Sequence, residues 1–149
     1  MRAVAQRVHY AKCVVDGKTV SEINKGLVVY VGVYDDDNDD DVKKMANKIT
    51  GLRVFTDDNG KLMYSAKDIG GSIMLISNFV LAGRVIHGFR PDCTHAAKYD
   101  QGKELFDSLA RQTSDSLPTV TGVFGAHMEI EVHNDGPINV VIDTRELRK

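Results

Sequence analysis

The sequence contains no tryptophan, only three prolines and only two cysteines in 149 residues. Two cysteines, Cys13 and Cys93, cannot make a disulfide framework, and they read as reduced thiols of a cytoplasmic protein. No apolar run approaches the ~20 residues of a membrane-spanning helix, so no membrane partner is expected. The opening Met1-Arg2-Ala3-Val4-Ala5-Gln6-Arg7 has no apolar core and no cleavage site, which argues against secretion. Phosphate loops and dinucleotide fingerprints are absent. So is a Gly-x-Ser-x-Gly elbow. Cys93-x-His95 is not a zinc spacing and no second cysteine pair exists, so no metal is expected. No repeat, Pro-rich linker or composition shift divides the chain, which predicts one domain over 1–149.

What is present is ordinary soluble composition, 42% apolar and 27% charged, in a chain long enough to bury its own core. Net charge is −2, but residues 35–41 hold six acids in seven positions. Taking those six from the 21 acidic residues leaves 15 against 19 basic, a balance of +4 for the body. That permits an anionic partner such as RNA without requiring one. The acidic run lacks the alternating ligands, central Gly and distal Glu of a calcium loop, and reads as a solvated loop that caps a helix.

Strands are expected at 3–8 and 12–15, with Asp16-Gly17 turning the chain. Residues 26–33 form a near-continuous β-branched run suited to a strand covered on both faces. Val42, Met45, Ala46 and Ile49 make one apolar stripe of a helix over 41–50. Strands follow at 52–56 and 72–79, then a long loop over 83–98 and a helix over 100–112. Three strands, about 119–124, 127–133 and 138–143, close the chain, the last two flanking a turn at Asn134-Asp135-Gly136-Pro137. The order predicts a mixed α/β or α+β sheet with two main helices on one side.

Residue chemistry alone yields no standard catalytic set. Ser77 ends an apolar strand, where active-site groups often sit, but has no evident His–Asp partner. Cys93 with His95 or His87 is a conceivable thiol nucleophile, with nothing to show activation. Gly136-Pro137 allows a cis bond that would aim two carbonyls in nearly the same direction, yet the residues alone favour an ordinary trans turn.

Several stretches together resemble the D-aminoacyl-tRNA deacylases over about 140 residues. They are Met1–Val8, Gly26–Val33 with its acidic loop and helix, Leu52-Arg53-Val54-Phe55, Gly60-Lys61, Gly88-Phe89-Arg90-Pro91, Ala96-Ala97, Thr121–Met128 and Asn134-Asp135-Gly136-Pro137. The motifs are short, and their order and spacing carry the specificity. The resemblance implies a β-barrel-like homodimer with active sites at the subunit interface, no cofactor, and hydrolysis of the ester between a D-amino acid and the 3′ end of tRNA. It implies that Ser77, Asn78, Phe79 and Val80 cradle the terminal adenosine and the ester, with backbone N–H groups near Phe79 and Val80 as oxyanion donors. It places Ala97 and Met128 on the pocket wall, and Phe89, Arg7 and Asn134 among the substrate-binding residues, with Arg7 supporting the Gly-Pro motif. It gives Gly136 and Pro137, as a cis pair reaching into a partner's site, the exclusion of L-amino acids. It also implies reliance on the tRNA's own 2′-hydroxyl in place of side-chain acid–base groups.

The chain departs from the family pattern at several points. Asn78 stands for Gln, Val80 for Thr, Ile138-Asn139 for Val-Thr, Leu62-Met63 for Met-Asn, and Cys93 for Phe. These changes keep three other readings open. One is a tRNA-end-binding module without hydrolysis. A second is a deacylase shifted toward mischarged glycyl-tRNA, which a trans Gly136-Pro137 bond would favour. A third is a thiol enzyme built on Cys93.

Overall fold

The computed structural model describes residues 1–147. The first strand, β1 (Arg2–Val15), is a single 14-residue element where the sequence predicts two strands. It is paired on both edges. One edge takes β8 (Glu129–Asp143). The other takes β3 (Gly26–Gly32) alongside residues 2–8 and β2 (Lys18–Ile23) alongside residues 11–15. Strand β3 continues the sheet in parallel to β6 (Ser72–Ser77), and β6 pairs in parallel with β7 (Thr119–Thr121). The sheet is therefore mixed, with six strands, and β2 folds back against β6 and β7 toward a barrel. A small hairpin, β4 (Phe55–Thr56) with β5 (Leu62–Tyr64), stands apart.

Each parallel pair needs a crossover, and each crossover carries a helix. Helix α1 (Asp39–Gly51) lies between β3 and β6, and α2 (Tyr99–Ser114) between β6 and β7. Both pack on the same face of the sheet. The apolar stripe Val42, Met45, Ala46 and Ile49 meets Leu105, Phe106 and Leu109 over Leu27, Val29, Val31, Ile73 and Leu75. The alternate residues Val28, Met74 and Ile76 face a second cluster with Val8, Ala11, Cys13 and Ile23. Strands β3 and β6 are thus covered on both sides, which is why they read as unbroken apolar runs. The two strands approach closely where they begin. A methyl group on Gly26 would lie 1.8 Å from the Ser72 carbonyl oxygen, so only glycine fits there.

The largest departure from expectation is at 127–143. Instead of two strands around a turn there is one strand, β8. Its pairing with β1 runs to Gln6↔Asn139 and resumes at Val8↔Asn134. Four residues of β8, 135–138, therefore lie opposite Arg7 alone. Asn-Asp-Gly-Pro is a turn signal, and here it makes a bulge pushed out of a continuous strand. The Gly136-Pro137 bond within it is cis, where the residues alone favour trans. The strand expected at 119–124 stops at Thr121, and that expected at 52–56 shrinks to two residues. The strand expected at 72–79 ends at Ser77, because Phe79–Ala82 turn into a short 3₁₀ helix.

The acidic run does cap α1: the Asn38 side chain accepts from the Asp40 N–H at 2.8 Å, and the Asp41 carboxylate from the Asn38 N–H at 3.1 Å. It is not merely solvated, which corrects the sequence reading. Asp37 is buried, taking the Met1 ammonium at 2.6 Å and the Tyr34 N–H at 2.7 Å. Asp36 pairs with Arg145 at 2.6 Å, and the Arg145 guanidinium lies 3.6 Å from the centre of the Tyr34 ring. The Tyr34 hydroxyl and Arg2 both donate to Asp143 at 3.0 Å. The run clasps the start of β1 to the end of β8.

Burial pushes the Asp143 carboxyl up, but donation from the Arg145 N–H, the Tyr34 hydroxyl and Arg2 outweighs it, and the group lies below the usual carboxylate range. A carboxylate depressed by folding adds stability above its unfolded value near ~3.9 and loses it as pH falls through the folded value. Asp143→Asn is therefore expected to lower Tm at neutral pH. The gap to wild type should close as the pH is taken below about 4, read by thermal melts across a pH series.

Candidate functional site

A cavity of about 460 Å³ opens where β3 and β6 end and α2 begins. Ligands in sheets with parallel strands tend to bind outside the carboxyl ends of those strands, where crossovers diverge. Val31 and Val33 form one wall, and Ser77, Asn78, Phe79 and Val80 another. Ala97, Tyr99 and Gly102 bring the N-terminus of α2 to the third side, and Phe124, Gly125, Ala126 and Met128 close the fourth. The Ala97 N–H donates to the Val33 carbonyl at 2.9 Å, which ties the approach to α2 to the end of β3. The positive end of that helix dipole thus borders the cavity.

The 3₁₀ turn at the end of β6 is fixed by main-chain bonds. The Asn78 N–H donates to the Val31 carbonyl at 2.8 Å, the Leu81 N–H to the Asn78 carbonyl at 3.2 Å, and the Gly83 N–H to the Val80 carbonyl at 2.9 Å. The N–H groups of Phe79 and Val80 have no acceptor among the described residues. They are the first donors of a helical turn, a position that leaves N–H groups unmatched. Two adjacent unmatched donors on a cavity wall suit a developing oxyanion.

Aromatic packing shapes the opposite wall. The Phe124 ring is tilted against Phe106 at 5.6 Å and edge-on to Tyr99 at 5.3 Å, which ties the wall to the core. Gly125 has φ +80°, and a Cβ there would meet the Tyr99 ring at 2.8 Å, so conformation and space both demand glycine. None of the cavity-lining residues is His, Lys, Arg, Asp or Glu. The lining offers amides, the Ser77 and Tyr99 hydroxyls and apolar surface. It can bind and orient a substrate, but it supplies no ordinary general acid or base.

Six of the residues expected at a site meet in this cavity: Ser77, Asn78, Phe79, Val80, Ala97 and Met128. Arg7, Asn134, Gly136 and Pro137 form a second assembly on the β8 bulge. Arg7 Nε donates to the Asp135 carbonyl at 2.8 Å and lies 3.2 Å from its carboxylate, while Arg7 Nη1 donates to the Val54 carbonyl at 2.8 Å. Asn134 Nδ2 donates to the Arg7 carbonyl at 2.9 Å. Gly136 and Pro137 stand exposed above these anchors and do not line the cavity of their own chain. Phe89 lies in neither place: it is fully exposed in the loop after the 3₁₀ turn.

Sequence reading did not assign roles to Tyr99, Gly102, Phe124 and Gly125. Tyr99 sits at the edge of the expected helix, and Phe124 and Gly125 sit at the end of the strand expected at 119–124, so neither stretch signals a wall. Cys13 is buried, and burial pushes its thiol up, which suits an inert core residue. Cys93 is half-buried and does not line the cavity. No cluster of three His, Cys, Asp or Glu side chains able to hold a metal exists among the described residues.

Comparison with known proteins identifies the family and the fold. A family profile described as D-Tyr-tRNA(Tyr) deacylase matches residues 4–143. A D-aminoacyl-tRNA deacylase of Kosmotoga olearia is 44% identical over 146 residues, covering 98% of this chain and 99% of that protein. Another, of Aquifex aeolicus, is 43% identical over 148 residues, covering 99% of this chain and all of that protein. The solved structure of a c-Myc DNA unwinding element binding protein superposes with a TM-score of 0.92 at 32% identity, covering 97% of this chain and 99% of that one. A probable eukaryotic D-amino acid tRNA deacylase shares the fold, with a TM-score of 0.83 at 15% identity over 95% of this chain and 97% of that one. With near-complete coverage in both directions, the chain belongs to the D-aminoacyl-tRNA deacylase family.

Proposed function

We propose that this protein hydrolyses the ester of D-aminoacyl-tRNA, releasing free D-amino acid and tRNA, as a chirality check on translation in the cytoplasm. The observation that carries the reading is the cavity wall, where Phe79 and Val80, whose N–H groups are unmatched among the described residues, line a space without acid–base side chains. The terminal adenosine and its aminoacyl ester occupy the cavity between Ser77–Val80 and Ala97, Tyr99 and Met128. The two N–H groups take the carbonyl oxygen as it gains charge. The tRNA's neighbouring 2′-hydroxyl, held close to the reacting carbon, supplies what the side chains do not.

The protein acts as a homodimer with its sites at the subunit interface. Gly136 and Pro137 of one chain enter the cavity of the other and block the substituent that an L-amino acid would place there. Their exposure on an anchored bulge supports that role. Arg7 and Asn134 act by holding the bulge.

The first test is hydrolysis of D-tyrosyl-tRNA, L-tyrosyl-tRNA and glycyl-tRNA at one low enzyme concentration. Loss of the D-ester with the L-ester spared is the expected result. Tight binding of the tRNA without loss of any ester would replace the enzyme with a binding module.

Arg7→Ala strips the donor from two carbonyls, and a loss of roughly 2–3 kcal/mol in stability is expected. The same variant should lose discrimination between the D- and L-esters more than it loses rate on the D-ester. Val80→Thr returns a hydroxyl to the turn. If the main chain carries the chemistry, its rate stays near wild type, whereas a gain of about 100-fold would assign the step to a side chain. Cys93→Ala should keep full activity, since its sulfur is not on the cavity wall; its inactivation would revive the thiol mechanism.

A further inference from the structure

Residues 84–92 form a narrow ribbon that neither the core nor the cavity accounts for. Its base is closed by the Arg84 N–H donating to the Asp92 carbonyl at 2.9 Å and the Asp92 N–H donating back at 2.8 Å. One arm leaves Gly83 directly after the 3₁₀ turn that walls the cavity. The chain then returns through Cys93 to Ala97, which lines another side of the cavity. The ribbon thus rises from the cavity rim.

Every residue from Arg84 to Asp92 is exposed, and Phe89 is exposed completely, with no ring partner among the described residues. Arg84 and Arg90 flank this phenyl in sequence. Among the described residues neither guanidinium lies within salt-bridge distance of a carboxylate, and the Arg84 guanidinium acts on the Asp92 carboxylate only through its longer-range charge. The carboxylate of Asp92 is engaged by the N–H and hydroxyl of Thr94. An exposed aromatic ring with an arginine on each side of it in sequence is the composition of a single-strand platform: the ring stacks a base and the cations hold phosphates. The arm from residue 84 to 88 reaches at most about 16 Å. With stacked nucleotides advancing about 3.4 Å each, it can span no more than about four of them.

We propose that this ribbon docks the unpaired 3′ end of the tRNA on the 5′ side of the adenosine in the cavity, with Phe89 stacking a base and Arg84 and Arg90 on the phosphates. This rests on the deacylase reading and concerns nucleotides outside the catalytic cavity. Positive charge on both sides of the ring favours a polyanion over an apolar protein surface.

The test compares D-tyrosyl-tRNA with D-tyrosyl-adenosine, which lacks every nucleotide the ribbon would touch. Phe89→Ala is expected to raise KM for the tRNA about tenfold with kcat held. On the adenosine ester its effect should be several-fold smaller, and Phe89→Tyr should restore the tRNA KM. Arg84→Ala/Arg90→Ala should flatten the dependence of log KM on log salt by about one to two for the tRNA alone. Equal losses on both substrates, or no loss on the tRNA, would overturn the proposal. So would conversion of a dimer to a monomer by Phe89→Ala in sedimentation, which would make the ribbon a subunit contact. If the wild type hydrolyses neither ester, the deacylase reading is what fails. The ribbon is then judged on binding of uncharged tRNA. Weaker binding of Phe89→Ala to intact tRNA, but not to tRNA trimmed of its unpaired 3′ end, would uphold it, and equal binding to both would overturn it.

Discussion

The double pairing of β1 is the constraint from which the other features follow. A strand hydrogen-bonded on both edges cannot slide, because a one-residue slip would turn its buried Ala3, Ala5, Ala11 and Cys13 outward. Irregularity in its partner must therefore leave the sheet. Between Gln6 and Val8, β8 carries three residues too many, and they rise as the bulge that holds Gly136 and Pro137. Arg7 is the one β1 residue beneath that bulge, and its guanidinium reaches both the bulge and Val54. The support for the bulge and the sheet register are thus one arrangement.

The same sheet explains a site with little chemistry of its own. Parallel pairing of β3 with β6 ends both strands on one side, and the crossover through α2 brings a helix N-terminus to that place. The cavity is framed by backbone dipoles before any side chain is chosen. Preorganised N–H groups in a partly apolar enclosure stabilise developing charge without reorganising, and they need no titration. In the proposed hydrolysis, the hydroxyl beside the substrate's ester is the polar group that the lining lacks.

Much of the fold was legible because both helices and both central strands obey simple periods. The α1 stripe, the unbroken apolar runs of β3 and β6, and the capping of α1 by the acidic run each follow from local chemistry. The misreadings share a cause: they fall where distant pairing overrides a local signal. Asn-Asp-Gly-Pro is turn chemistry in isolation, and only a β1 paired across the gap turns it into a bulge. The acidic run looks solvated until Arg145 and the Met1 ammonium arrive from over 100 and over 30 residues away. For the site, family resemblance named the Ser77–Val80 wall, Ala97 and Met128. It gave no roles to Tyr99 and Phe124, whose place depends on how α2 packs.

The departures at Asn78 and Val80 fall on a turn whose shape does not depend on them. No hydrogen bond of the turn uses the side chain of residue 78 or 80: main-chain bonds join Asn78 to Val31, Leu81 to Asn78 and Gly83 to Val80, and Arg2 Nη1 donates to the Leu81 carbonyl at 3.4 Å. Replacing Gln by Asn or Thr by Val leaves every one of these donors and acceptors in place. The N–H groups of Phe79 and Val80 are main-chain donors whatever side chains these residues carry. A side-chain nucleophile at position 80 would have made valine lethal to function, because no isosteric hydroxyl remains. A main-chain oxyanion site tolerates it, since a β-branched residue of nearly the same shape keeps the wall filled. The proposed main-chain site therefore places no demand for a hydroxyl on residue 80.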